Sequence, residues 1–241
     1  MNRMFVSPWL SVSPHGPVTC AHPHNNDLIH LRQGEMDGAC GPYCAVMTLI
    51  TLGVMSREQA LSLDTFDGRT RLGRFRDNLM AFGALVTEGT DDFDVSWLVE
   101  LFKRAGVVTD VLDVAPRRKT TIGNLAEAVD QRKIPIVGVQ WEGGQSGHWL
   151  LVIGYQGFQV DDEDELQITH LLCLDPTSEA PKVSLWNAVI EVFTEEGEAV
   201  NEGRYYCRHW GPSNPPTACR ITESVVVGLD KKAEANHFFE G

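Results

Sequence analysis

The sequence predicts an α+β domain, with helices first and antiparallel strands second. Three observations carry that prediction. Apolar residues at helical spacing, bounded by cap and stop residues, fill the first half of the chain. Near-continuous apolar β runs fill much of the second half. The chain has 241 residues, 43% of them hydrophobic, and no internal repeat, which suits one domain with a substantial core. Within residues 1–241 as a single domain, residues 1–30 read as an irregular lead-in rich in Pro, His, Gly and Asn. Residues 31–180 read as the core unit, and 181–241 as a C-terminal helix with edge strands.

In chain order, the first helix is expected over about Pro42–Leu52. It is apolar almost all round, the mark of a buried helix, and Gly53 supplies its stop. Ser56 caps "SREQALSL", with Glu58 and Gln59 near the capping-box position. "RTRLGRFRDNLMAFG" is an amphipathic helix ending at Gly83. "DVSWLVELFKRAG" is another, with Gly106 as its stop. "VVTDVLDV" reads as a short strand, and "TTIGNLAEAVDQRK" as a helix opened by Thr120 or Thr121. Then come three strands, "IPIVGVQW", "HWLLVIGY" and "LQITHLLCLD". The acidic stretch "DDEDE" joins the last two as a hairpin. A helix is expected near "SLWNAVIEVF", and edge strands at "RYYCRHW" and "RITESVVVGL".

Net charge is −13, which argues against sequence-independent nucleic-acid binding and against docking on anionic lipid. No apolar run approaches the roughly 18 residues of a membrane span. The N-terminal apolar patch is short and broken by Pro and Ser, so no signal peptide is read and a cytoplasmic location is expected. Without a secretion signal, the six cysteines are expected to be thiols rather than a disulfide framework.

Two of those cysteines flank the start of the first helix. Cys40 precedes Gly41 and Pro42, and proline favours the first helical positions. Cys40 is thereby set at a helix N-terminus, where free N–H groups and the dipole favour a thiolate. Cys44 lies one turn further in among apolar neighbours, where a thiol is inert. The alternative is that both are small core residues. His148 opens a strand directly after a Gly-rich loop, and Asp175 ends the next strand before Pro176. In a hairpin, the start of one strand lies beside the end of the next, so the two are expected to be lateral neighbours. Such a carboxylate orients an imidazole and stabilises its charged form.

The motifs "ACGPYCAVM", "GHWLLVIGY" and "LCLDP" resemble the papain-like cysteine peptidases related to the bacteriocin-processing, double-glycine leader peptidases. The resemblance covers roughly residues 30–178. It implies a papain-like fold, a buried nucleophile helix packed on an antiparallel β-sheet, and thiol hydrolysis of an amide bond. It further implies Cys40 as nucleophile, His148 as general base and acid, Asp175 as the orienting acid and Gln33 as an oxyanion donor. Gln33 stands seven residues before Cys40, one more than the family spacing, and both intervals between triad residues are longer than in the leader peptidases. No transporter segment follows, so a standalone relative is expected.

Substrate contacts are expected from Gly41, Gly147 and Trp149. Trp141 and Trp149 flank the His148 loop, and one of them is a candidate to cover the histidine. The substrate is expected to be a protein or peptide, with the acidic hairpin favouring a basic one; no cofactor and no metal are expected. Cys20, His22, His24 and His30, with Cys207 and His209, fit no zinc-finger or ribbon spacing. "GGQSG" lacks the lysine of a phosphate loop. Two alternatives stand beside the peptidase: a non-catalytic peptide-binding module of the same fold, and a side-chain deamidase or acyltransferase such as a bacterial effector.

Overall fold

Six antiparallel strands join into a closed ring that organises the chain. A computed structural model describes residues 2–34, 38–81, 89–114, 118–144, 147–159, 166–194, 197–212 and 215–237. The ring runs β5 (Ile134–Trp141), β6 (Gly147–Gln159), β7 (Leu166–Leu174), β8 (Ala188–Glu191), β9 (Cys207–Trp210) and β10 (Thr217–Leu229), which returns to β5. Closure leaves these strands without long free edges. Two strands add to the outside: β1 (Asn2–Val6) pairs with the second half of β6, and β4 (Val107–Val111) with the end of β10. β2 (Leu10–Ser13) and β3 (Gly16–Thr19) form a separate hairpin.

The period of two along β6 splits the core. Trp149, Leu151 and Ile153 face α1 (Cys40–Thr51) and α4 (Asp92–Glu100), while Leu150 and Val152 join the ring interior. The interior cluster also takes Cys173, Cys207 and Cys219 from three strands, and Ile122, Leu125, Ala126 and Val129 from α5 (Arg118–Asp130). In α1 every residue except half-buried Tyr43 is buried. Its Thr48 and Thr51 hydroxyls donate back to the carbonyls of Cys44 and Met47, both at 2.8 Å, so no polar atom is stranded. The chain turns out of α1 at Gly53, whose φ of +68° is the left-handed conformation glycine tolerates.

The local signals placed most helices. Ser56 and Gln59 form a complete capping box on α2 (Arg57–Leu61), and Asp91 with Asp94 a second one on α4. α3 is Arg71–Ala81; Gly83 and the acidic 161–165 loop lie outside the described residues. A short 3₁₀ turn follows α4 and stops at Gly106, with φ +89°. α6 (Lys231–His237) ends the described chain.

Four expectations are corrected. The first helix begins at Cys40 rather than Pro42, so the cysteine is its first residue. The lead-in is not irregular, since it supplies β1, β2 and β3. The segment around "SLWNAVIEVF" is not a helix. It contains β8, because β7 and β9 offer a backbone partner on each side and tertiary pairing overrides helical spacing. Neither β9 nor β10 is an edge strand, because β9 pairs with β8 and β10, and β10 pairs with β4, β5 and β9. Among the described residues no helix is long and apolar enough to cross a membrane.

Candidate active site

The site sits where one end of the ring meets the N-terminus of α1. Cys40 is the first residue of that helix and is 7% exposed. The N-cap residue, Ala39, makes no side-chain cap hydrogen bond. The Ala39 side chain thus has no polar atom to compete for the helix's first N–H groups, groups that an anion can use.

His148 is the second residue of β6 and lies opposite Val139 on β5. Its Nε2 is 2.9 Å from Asp175 Oδ1. An ionised carboxylate only accepts, so Nε2 carries a proton and Nδ1 is the ring atom left for a second partner. Cys40 lies near enough to raise the pKa of the same imidazole, and its Sγ has the Gly38 carbonyl 4.0 Å away. Burial works against a charged His148, but the bonds and charges of Asp175 and Cys40 outweigh it, and the histidine's pKa is pushed up to about 9. Burial likewise works against an ionised Asp175. The hydrogen bond and charge of His148, the nearby His209 and the Thr177 hydrogen bond prevail and hold it well below the usual carboxylate range.

Asp175 is fixed from several directions. Thr177 donates to Oδ1 from its backbone N–H at 2.8 Å and its hydroxyl at 2.6 Å. Asn187 grips the backbone: its Oδ1 accepts from the Asp175 N–H at 2.6 Å, and its Nδ2 donates to the Asp175 carbonyl at 3.0 Å. Buried His30 approaches that carbonyl through Nε2 at 3.0 Å, and burial lowers the histidine's pKa. Gln33 is 9% exposed, and its backbone N–H donates to Pro176 at 2.7 Å, which ties it to the Asp175 turn.

The remaining expected site residues divide. Gly147 is exposed beside His148 at the head of β6. Gly41 and Trp149 are not surfaces offered to a ligand. Trp149 is 3% exposed and its indole N–H donates to the Thr90 carbonyl at 3.0 Å. A Cβ at Gly41 would lie 2.2 Å from Thr90 Oγ1 and 3.1 Å from Trp149 Cδ1, so the glycine is required for close packing. Trp141 is the tryptophan that covers the histidine, stacked on His148 with ring centroids 6.0 Å apart.

Sequence reasoning missed Asn187, inside a segment read as helix, and Thr177. It noticed His30 and His209 but weighed them only as metal ligands. Among the described residues, no group of three or more His, Cys, Asp or Glu side chains is arranged to hold a metal ion. All six cysteines are free thiols, and burial raises the Cys44 thiol well above its ordinary pKa. No family model matches the chain, and no curated protein matches it.

Proposed function

We propose that this chain is a cysteine hydrolase of papain-like fold, a peptidase that cleaves a peptide or isopeptide bond in a protein or peptide substrate in the cytoplasm. The observation that carries the reading is a single buried imidazole held by Asp175 at 2.9 Å and raised in pKa by the neighbouring Cys40, with the sulfur on the first residue of a buried helix.

The chemistry follows from the protonation states. Cys40 Sγ attacks the substrate carbonyl carbon, forming a C–S bond and moving the carbonyl electron pair onto oxygen. Helix N–H groups and the Gln33 amide are the donors for that oxyanion; losing one such donor costs about 2.7–4 kcal/mol in the barrier. His148 gives its proton to the leaving amine as the C–N bond breaks. Water then loses a proton to His148 and attacks the thioester, and the sulfur departs as thiolate beside the recharged imidazole. Asp175 stays ionised throughout and holds the ring.

Two measurements test this. Iodoacetamide at pH 6 is expected to alkylate Cys40 selectively in the wild type and slowly in His148→Ala. A candidate lysate is expected to leave an acyl adduct on Cys40, detected by mass spectrometry. Labelling of Cys40 at the rate of an ordinary thiol, indifferent to His148, sinks the proposal.

A further inference from the structure

A second imidazole faces the Asp175 carboxylate. His209 Nε2 lies 3.5 Å from Asp175 Oδ2, on the opposite side from the bond to His148. It is buried and makes no hydrogen bond of ordinary geometry among the described residues. A buried ring nitrogen without a partner is costly, so its place opposite the carboxylate calls for a reason.

The register explains how the two histidines meet. On β9, His209 lies opposite Ile190 of β8 and Thr217 of β10, so its side chain projects on the face of Ile190, which belongs to the interior cluster. His148 lies opposite Val139, also in that cluster. β6 starts, β7 ends and β9 ends at the same end of the ring, which brings the two imidazoles and Asp175 to one rim. Trp141 binds them together. It stacks on His148 at 26° and meets His209 edge-on, with centroids 4.9 Å apart at 63°.

We propose that His209 is a positioning residue for the hydrolytic triad. In the form with the proton on Nε2, it donates to Asp175 Oδ2 and fixes the plane of the carboxylate, so that Oδ1 is delivered to His148. This role rests on the proposed function. Both Thr177 donors and His148 meet Oδ1, so a donor at Oδ2 restrains the carboxylate from its other oxygen. At 3.5 Å the contact is longer than a normal bond, as such contacts often are before substrate binds. The ionisable groups around His209 are few. Asp175 and His148 face it across the rim, and the Cys219 thiol of β10 lies against its backbone. Cys207 shares its face two residues back, while Arg208, paired with Glu191 and Glu202, points the other way.

The test compares two amide variants. The Nε2 of glutamine can occupy the position of a histidine Nε2, and the shorter asparagine side chain cannot. His209→Asn is expected to slow Cys40 alkylation at pH 6 by about tenfold, the effect of roughly one unit in imidazole basicity. At pH 10, where a thiol ionises without help, its rate should match wild type. His209→Gln is expected to keep most of the pH 6 rate. Histidine ¹⁵N NMR of the wild type reads the same question without a variant, and His209 is expected to carry its proton on Nε2 at pH 7. Wild-type labelling that depends on His148 but not on His209, or a proton on Nδ1 of His209, overturns the role and leaves the triad standing. Labelling indifferent to His148 overturns both.

Discussion

The Asp175 carboxylate accepts three hydrogen bonds on one oxygen and faces an imidazole with the other. A buried charge survives only when so compensated, and removing one partner from such a pair costs about 3–5 kcal/mol. The charge, rather than the shape, sets the histidine. In Asp175→Asn the imidazole loses its counter-charge while its burial stays, so its pKa is expected to fall from about 9 to below the ordinary value. The rate of Cys40 alkylation against pH should then lose its acid-side plateau, and an unchanged profile would show that the carboxylate does not govern the ring. Asn187 works one step back, on backbone rather than side chain. Asn187→Ala strands the buried N–H of Asp175 and removes one donor from its carbonyl, which Ser178 still reaches, and is expected to cost about 1–3 kcal/mol in urea unfolding. The hydrolysis proposed above should fall with it, since the turn that presents the carboxylate loosens.

Among the elements, α1 and β6 act as a pair clamped through Thr90. Its carbonyl accepts from Trp149 on β6, and its hydroxyl sits where a side chain on Gly41 would go. Gly41→Ala must therefore displace Thr90, whose carbonyl holds Trp149 next to His148. A loss of activity larger than the accompanying drop in melting temperature would explain is the expected outcome. Equal activity with equal stability would show that the clamp has slack. These two elements were largely legible in the sequence, because an all-round apolar helix and a doubly buried strand are local patterns. The caps at Ser56 and the stops at Gly53 and Gly106 are local too. β8 was not legible, and β10 was put in the wrong place, because their status depends on which strands close the ring. The same reason hid His209. The short segment "CRH" carries no sign that its histidine will meet Asp175, a residue more than thirty positions earlier and two strands away. Trp149 was misjudged for the converse reason: the strand pattern showed that it lies next to His148 but not which face it takes.

For the molecule as a whole, the His148–Asp175 pair couples stability to pH. The pKa of His148 in the folded chain, about 9, lies above the ~6.5 of a free imidazole. Its contribution to folding is complete below about pH 6.5 and is lost as pH rises through about 9. Asp175, held low, contributes above about pH 4 and loses that contribution as acid protonates it. Urea midpoints should therefore be highest between about pH 4 and 6.5, and His148→Gln should flatten the decline on the alkaline side. The closed ring has one more practical result. Cys173, Cys207 and Cys219 are sealed inside it and Cys44 beneath it, while Cys20 lies open to solvent. Under a timed pulse of alkylating reagent, the four hidden sulfurs gain mass together only when the molecule opens, so the protein carries its own gauge of unfolding, readable in a mass spectrum without dye or tag.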